Sequence, residues 1–277
     1  MTATGTLHRI PDRPWRWLPW LLLSQVMAAA AWGMLGWKAG LVALLASHAL
    51  FVVPVFLPNS RFYAPVLSRL PGPDVWLTID DGPSDETPAL LDLLDRHGAR
   101  ATFFMVGERA AARPALVAEV LRRGHGLGNH SQSHPQACFW RLGPRRMAAE
   151  IAQCQRTLAD IAGTPPYWYR SVVGMTNPFV AAALRRHGLA RVGWSARGFD
   201  GVGCQPEVVV ARIARDLAPG AIVLLHEGAA HGHNLAIIEA VLQQLQARGL
   251  QARLPPAPGR DAGEPAARRD RIPCVQE

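Results

Sequence analysis

From Leu18 to Leu57 the chain is almost wholly apolar, and Lys38 is its only formally charged residue. A run of that length has no place in an ordinary globular core. A helix needs about 20 residues to cross the hydrocarbon of a bilayer, so the run fits two spans better than one. Trp15, Trp17 and Trp20 stand at one end, Trp32 and Trp37 near the middle, and Phe56, Phe62 and Tyr63 at the far end. Aromatic side chains favour the membrane–water boundary, and three such belts match a helical hairpin that turns near Gly36–Gly40. Arg9, Arg13 and Arg16 precede the first span, and Arg61 and Arg69 follow the second. The cytoplasmic bias of arginine then places both flanks, and whatever follows them, in the cytoplasm. One span plus an interfacial helix is the competing topology, and it would put the remainder in the periplasm or outside. A cleaved signal peptide fits less well, because its apolar region is shorter and is followed by a small-residue cleavage site. Ser24, Gln25, Ser47 and His48 are costly in lipid unless the two helices pair.

Residues 58–73 include Pro58, Pro65, Pro71 and Pro73 and are expected to link this anchor, residues 1–57, to a domain over 74–254. There, short β-rich runs alternate with amphipathic ones. The expected strands are Val75–Ile79, Ala101–Met105, Gly126–Asn129, Tyr167–Arg170, Arg191–Ser195, Ala221–Leu225 and Gln251–Leu254. The expected helices are Thr87–His97, Pro114–Arg123, Pro144–Ile161, Pro178–His187, Pro206–Leu217 and Leu235–Arg248. Proline suits a first helical position, and Gly98, Gly124, Gly188 and Gly249 fall where a helix end needs a left-handed residue. Repeated strand–helix units imply a parallel sheet with helices outside, as a closed barrel or an open sheet. Residues 255–277, rich in Pro, Gly and charge, are expected to be a disordered tail. The formal net charge of +8 is spread along the chain, and no basic run interleaves with aromatics, so no nucleic-acid partner is expected. Cys138, Cys154, Cys204 and Cys274 form no Cys-x-x-Cys pair and fix no redox compartment.

Ionisable residues collect just after the expected strands. Asp80 and Asp81 follow the first, His130 and His134 the third, Arg170 ends the fourth and His226 the sixth. In parallel α/β folds catalytic groups gather at the C-terminal ends of strands. Asp81, His130 and His134 offer one carboxylate and two imidazoles, a set that suits a divalent ion such as zinc. Two histidines four residues apart can share one side of a helical turn. Taken alone, such a pair is more often solvated, and Asp80 alone reads equally well as a loop cap before Gly82. Two adjacent carboxylates, however, repel unless a cation intervenes.

The segments Thr78-Ile79-Asp80-Asp81-Gly82, His130-Ser131-Gln132-Ser133-His134, Arg170 with Gly174, and Leu224-Leu225-His226 occur in that order. Together they resemble the motifs of the polysaccharide deacetylases, the family 4 carbohydrate esterases with a chitooligosaccharide deacetylase homology domain. The resemblance covers about Val75 to Leu254 and implies a distorted seven-stranded (β/α) barrel. It implies a metal held by Asp81, His130 and His134: zinc, with cobalt, nickel or manganese as alternatives. It makes Asp80 the general base, Arg170 the arginine that keeps the base anionic, and His226 the acid that protonates the leaving amine. Leu224 matches the apolar wall of the acyl-methyl pocket. A backbone N–H just after Arg170, with Val172 the nearest, matches the donor to the oxyanion.

Two motifs depart from the family. The proline-containing turn after Arg170 is replaced by Ser171-Val172-Val173-Gly174. In the fourth motif the family carries an aspartate that tunes the acid histidine, then Asp-Trp lining the groove. Here Arg197 stands at the first aspartate, Asp200 matches the second as a substrate contact, and Gly201 replaces the tryptophan. A cation near His226 would lower its pKa unless another group, such as Asp200, supports it. Loss of the tryptophan removes a stacking platform and argues against a long polymeric glycan. His97 and His187 are expected at helix ends, and His231 and His233 in a solvated loop.

The function so implied is metal-dependent removal of an N-acyl group, chiefly acetyl, from an amino sugar of a glycan or lipid-linked saccharide. The protein would contact membrane lipid, in the inner membrane of a bacterial cell. A non-haem iron oxygenase also uses two histidines and a carboxylate, but it has no need of Asp80, Arg170 or His226. A catalytically impaired carbohydrate-binding membrane protein is permitted by the altered fourth motif and opposed by the retained ligands, base and acid.

Overall fold

The computed structural model describes residues 7–202 and 205–256. The apolar run folds into α1 (Trp17–Leu35) and α2 (Trp37–Val52), and α2 continues as a 3-10 turn over Val53–Phe56. Both are long and apolar enough to cross a membrane. They pack antiparallel. Ser24 Oγ meets Ser47 Oγ at 2.8 Å, Gln25 Nε2 donates to Ser47 Oγ at 2.8 Å, and Arg16 Nη2 donates to the Arg61 carbonyl at 2.8 Å. Near the turn, Trp32 lies against Gly40, where a Cβ would overlap it. His48 Nδ1 donates to the Leu44 carbonyl one turn back at 2.8 Å. The polar residues within the apolar run therefore satisfy one another or their own helix; interhelical bonds of this kind contribute about 0.6–2 kcal/mol each in a membrane.

The second unit holds seven parallel strands: β1 (Trp76–Gly82), β2 (Ala101–Met105), β3 (Gly126–Asn129), β4 (Trp168–Tyr169), β5 (Ala190–Arg191), β6 (Ala196–Arg197) and β7 (Ile222–His226). Their order is β5-β4-β3-β2-β1-β7-β6. Helices α3 (Thr87–Arg96), α5 (Pro114–Arg122), α6 (Pro144–Ala162), α8 (Pro206–Asp216) and α9 (Asn234–Ala247) pack outside, α7 (Val180–His187) covers the β4–β5 side, and a short α4 (Gly107–Ala112) follows β2. Successive side chains of a strand point to opposite faces. Leu77, Ile79, Phe103, Met105, Val223 and Leu225 meet the helices, whereas Trp76, Phe104, Trp168, Trp194, Ile222 and Leu224 fill the inside of the curled sheet. The same alternation sends Thr78, Asp80 and His226 inward. Register pairs Trp76 with Ile222, Thr78 with Leu224, and Asp80 with His226.

Three expectations are corrected. The single strand expected over Arg191–Ser195 is two, β5 and β6, because the chain there passes from pairing with β4 to pairing with β7. The strand expected over Gln251–Leu254 makes only one bridge, Ala252 to Val75. Residues 58–73 are built into the domain rather than linking to it. Leu67 bridges Val192 and Arg69 bridges Ala221 across the seam between β5 and β7, while Tyr63, Ala64 and Val66 are buried. The expected helices appear with shifted ends; α4, six residues long, is too short to leave a helical period in the sequence. Gly98, Gly124, Gly188 and Gly249 all take positive φ at helix ends. Beyond Pro256 the tail expected to be disordered lies outside the described residues.

Candidate active site

The inward-facing top layer of the sheet and its following loops enclose a cavity of ≈ 120 Å³. Asp80, Asp81, His130, His134, Val173, Gly174, Trp194, Arg197, Phe199, Gly201, Leu224 and His226 all line it. The site residues expected from sequence therefore meet here, except Arg170, which lies beneath Asp80, Asp200, which lies behind His226, and Val172.

Asp80 is 3% exposed, so its charge requires a partner in the protein. Arg170 Nη1 supplies it at 2.8 Å. The same nitrogen reaches Thr78 Oγ1 at 2.7 Å, and Nη2 donates to the Gly193 carbonyl at 2.9 Å. The guanidinium stacks on Phe104, 4.3 Å from the ring centroid. Burial pulls the pKa of Arg170 down and Asp80 opposes that pull. Held at several points, Arg170 fixes the direction of Asp80.

His130 Nδ1 donates to the Arg170 carbonyl at 2.9 Å, which leaves the Nε2 lone pair facing Asp81 Oδ1 at 3.5 Å. His134 Nε2 lies 3.0 Å from the same oxygen. Asp81 Oδ1 is buried and accepts no hydrogen bond. One atom from each of Asp81, His130 and His134 lies within 4.8 Å of the others. Two imidazole nitrogens and an unpartnered carboxylate oxygen converging on one point fit a divalent cation, with coordination positions left for water and substrate. Burial alone would raise the Asp81 pKa, but the adjacent His130 and His134 imidazoles override it and hold the carboxyl well below its usual range.

The histidine pair does not sit on a helical turn as its spacing suggested. Residues 130–134 form a loop with positive φ at Ser131 and His134. The buried Glu150 of α6 holds that loop, accepting from the N–H groups of Gln132 at 3.1 Å and Ser133 at 2.8 Å. Among the described non-glycine residues, positive φ occurs at Asp81, Ser131, His134, Val173 and Phe199. Four line the cavity and Ser131 adjoins His130. Such conformations are costly for residues with a Cβ, and their confinement to one place marks a functional site.

Opposite Asp80, His226 Nδ1 donates to Asp200 Oδ1 at 3.0 Å, and its backbone N–H donates to Asp200 Oδ2 at 2.7 Å. Burial depresses the His226 pKa, but Asp200, then Asp80 and Asp81, outweigh it and push it up to about 9. Asp200 is fully buried behind the histidine and engages it with both oxygens, so it is not a substrate contact. The partner expected to be lost at position 197 is supplied three residues later. His231 also departs from its expected solvated loop. Its Nε2 donates to the Asp200 carbonyl at 2.6 Å while its Nδ1 accepts from the His233 N–H at 3.0 Å. Val172 is drawn into an apolar cluster with Phe139, Met147 and Tyr169, and it is Val173, at φ 47°, that reaches the cavity wall.

Comparison with known proteins fits this geometry. The family model for polysaccharide deacetylases matches residues 68–192. A chitooligosaccharide deacetylase of Bradyrhizobium is 32% identical over 183 residues, covering 65% of this chain and 83% of that protein. The chain belongs to the polysaccharide deacetylase family. A peptidoglycan N-acetylglucosamine deacetylase of Listeria monocytogenes is 32% identical over 208 residues, 75% of this chain, which spans 43% of that relative's length. Among solved structures, a family 4 carbohydrate esterase of Streptomyces lividans, in complex with acetate, aligns with a TM-score of 0.60 and 34% identity, covering 66% of this chain and 92% of that one. Family 4 deacetylases use a divalent metal, which agrees with the donor set of Asp81, His130 and His134.

Sequence reasoning missed the supports of this deacetylase-like site. Arg109 of α4 donates to the Asp81 carbonyl and so braces its left-handed backbone. Glu227, buried at the end of β7, accepts from Ser84 Oγ at 2.7 Å and from Thr87 Oγ1, tying the loop after β1 to the strand that carries His226. Neither position carries a local pattern; Glu227 stood next to His226 in the last motif, which was the available signal.

Proposed function

We propose that the chain hydrolyses the amide of an N-acylated amino sugar, releasing a small carboxylic acid and the free amine. The observation that carries this reading is the pairing of Asp80 with His226 in register on adjacent strands, with Asp81, His130 and His134 converging beside them. Asp81, His130 and His134 would hold a divalent ion, zinc by donor type. When bound there, such an ion acidifies water from a pKa of about 16 toward 7 and polarises an amide carbonyl.

The protein groups do the rest. Asp80, paired with Arg170 at 2.8 Å, accepts the proton that water loses as its oxygen joins the carbonyl carbon. The N–H of Val173, a residue of the cavity wall, would bond the developing oxyanion. His226, oriented by Asp200, gives its proton to the amide nitrogen as the C–N bond breaks. Leu224 closes the far wall. A cavity of ≈ 120 Å³ admits an acetyl-sized group and leaves the sugar at the mouth. An oxygenase reading leaves both the Asp80–Arg170 and the His226–Asp200 pairs without a task.

The apolar hairpin we read as a membrane anchor with both flanks cytoplasmic, following its arginines. Its domain end adjoins the site. The Val55 carbonyl accepts from the Thr176 N–H at 2.9 Å, Pro58 lies against Gly174, and Asn59 Nδ2 donates to the Trp194 carbonyl at 2.8 Å. Val173, Phe199 and Val202 are exposed on the cavity wall, and exposed Trp140 lies near Phe56. A mouth with an apolar rim beside the end of an anchor suits a membrane-proximal or lipid-linked saccharide.

The test uses the purified full-length chain, zinc-loaded, with N-acetylated chitooligosaccharides and lipid-linked N-acetyl sugars, and mass spectrometry of the products. Loss of one acetyl mass in the wild type and not in Asp80→Asn is expected. No deacylation of any substrate by protein with full metal content would overturn the reading.

A further inference from the structure

Strand β6 sends Ala196 to the outer core and Arg197 to the cavity wall. Every other charge at the site has an opposite partner. Asp80 pairs with Arg170 at 2.8 Å, Asp200 with His226 at 3.0 Å, and Asp81 faces His130 and His134. The Arg197 guanidinium makes no hydrogen bond and no ion pair among the described residues, and its Nε is buried without an acceptor. Aromatic faces hold it in place. Its Cζ lies 4.2 Å from the Phe199 ring centroid and 5.1 Å from that of Trp194. Arg212 approaches the same Phe199 ring at 5.5 Å, adding a second positive charge nearby. Phe199 reaches this position through a left-handed backbone, φ 69°.

The charges of Asp200 and Asp80 act on it only at a distance, with no hydrogen bond or ion pair to either, so a guanidinium confined by aromatic faces and partly withdrawn from water is pre-organised to bind an anion directly. Its planar fork matches the two oxygens of a carboxylate or phosphate. We propose that Arg197 is a specificity residue that selects N-acyl amino sugars bearing a phosphate or carboxylate next to the scissile amide. The small cavity takes the acyl group, so the sugar rests over Phe199 and Val202, and a substituent on it comes within reach of Arg197. This inference rests on the N-deacylase reading for its substrate, and on charge and geometry alone for the anion.

The experiment compares N-acetylglucosamine 1-phosphate, its uncharged methyl glycoside, and the same sugar phosphate esterified to a prenyl chain, using the full-length zinc-loaded chain in lipid nanodiscs. Wild type should prefer the soluble phosphate over the methyl glycoside by at least about tenfold in kcat/KM, chiefly through KM. In Arg197→Ala that ratio should collapse toward one, and Arg197→Lys should keep part of it, the point charge replacing the fork. Calorimetry of the soluble sugar phosphate gives a readout free of turnover, with binding at least about tenfold weaker in Arg197→Ala. Melting temperature and metal content of each variant establish that it folds. Faster turnover of the prenyl-linked form than of the soluble phosphate identifies a lipid-borne anion; equal turnover identifies a soluble one, and both support the role of Arg197. A wild-type ratio of one, or a ratio that survives Arg197→Ala, overturns it. No turnover of any probe, with Arg197-dependent binding retained, overturns the hydrolase reading and leaves the anion site standing.

Discussion

Replacing Asp200 with Asn tests whether His226 acts as a proton donor poised by a buried carboxylate. The substitution keeps size and shape but removes the charge that both His226 N–H groups address, at 3.0 Å and 2.7 Å. In the metal-free protein His226 is raised from 6.5 to about 9, with Asp200 the largest upward influence against burial. At pH 7 a group with that pKa is protonated in a ratio of about 100 to 1. Without Asp200, burial is opposed only by the lesser pulls of Asp80 and Asp81, and the pKa should fall back toward the ordinary imidazole value of about 6.5. At that value about a quarter of the molecules carry the proton at pH 7, and about 3% at pH 8. Protonation alone should thus cost about fourfold at pH 7 and about thirtyfold at pH 8, with further loss from the freed ring orientation. A divalent ion opposes the charge of Asp81, so the loaded wild type should titrate somewhat below about 9. The assay is amine release from an N-acetyl sugar between pH 6 and 9, with the imidazole titration followed by NMR on metal-free protein. A loss in Asp200→Asn that is uniform across that range, or an imidazole that titrates as in wild type, would refute the assignment.

Asp80→Asn should retain the metal and lose activity by a factor on the order of 100 to 10,000, the usual worth of a positioned base; loss of the ion instead would exchange the roles of Asp80 and Asp81. His130→Ala and His134→Ala should each lose most bound zinc by elemental analysis, since two remaining ligands hold a divalent ion poorly. The His226–Asp200 pair should stabilise the metal-free fold by about 3 kcal/mol below pH 6.5, an advantage that fades as pH rises through about 9 because the folded-state pKa is the higher one. The melting temperature should therefore fall between pH 6.5 and 9 in wild type and much less in Asp200→Asn. A reporter fused after Arg61 should report a cytoplasmic location and one near Lys38 an exported one; export of the fusion after Arg61 would replace the hairpin with a single span.

What could be read from the sequence was governed by how local the determining physics is. Strand–helix alternation and the glycines at helix ends depend on a few neighbouring residues, and those elements lie where expected. Their places at the ends of expected strands likewise made Asp80 and His226 candidate site residues before any register was known. The split between β5 and β6 is different. It arises because residues 190–197 change partners from β4 to β7, and pairing across such distances leaves no trace within eight residues of sequence. The segment 58–73 looked like a linker because its prolines cannot complete a ladder. Yet two bridges, one of them at Arg69, and three buried side chains suffice to seal the seam. The fourth motif separates position from function most clearly. The family resemblance puts the tuning carboxylate at position 197, where this chain has arginine, whereas the bond to His226 requires only that some carboxylate reach Nδ1. Asp200 does so through the turn at Phe199, whose left-handed backbone could not be foreseen for an aromatic residue. Relieved of that task, position 197 is free to carry a charge of the opposite sign into the cavity. The departure that cast doubt on the acid is thus the one that bears on which sugar the site accepts.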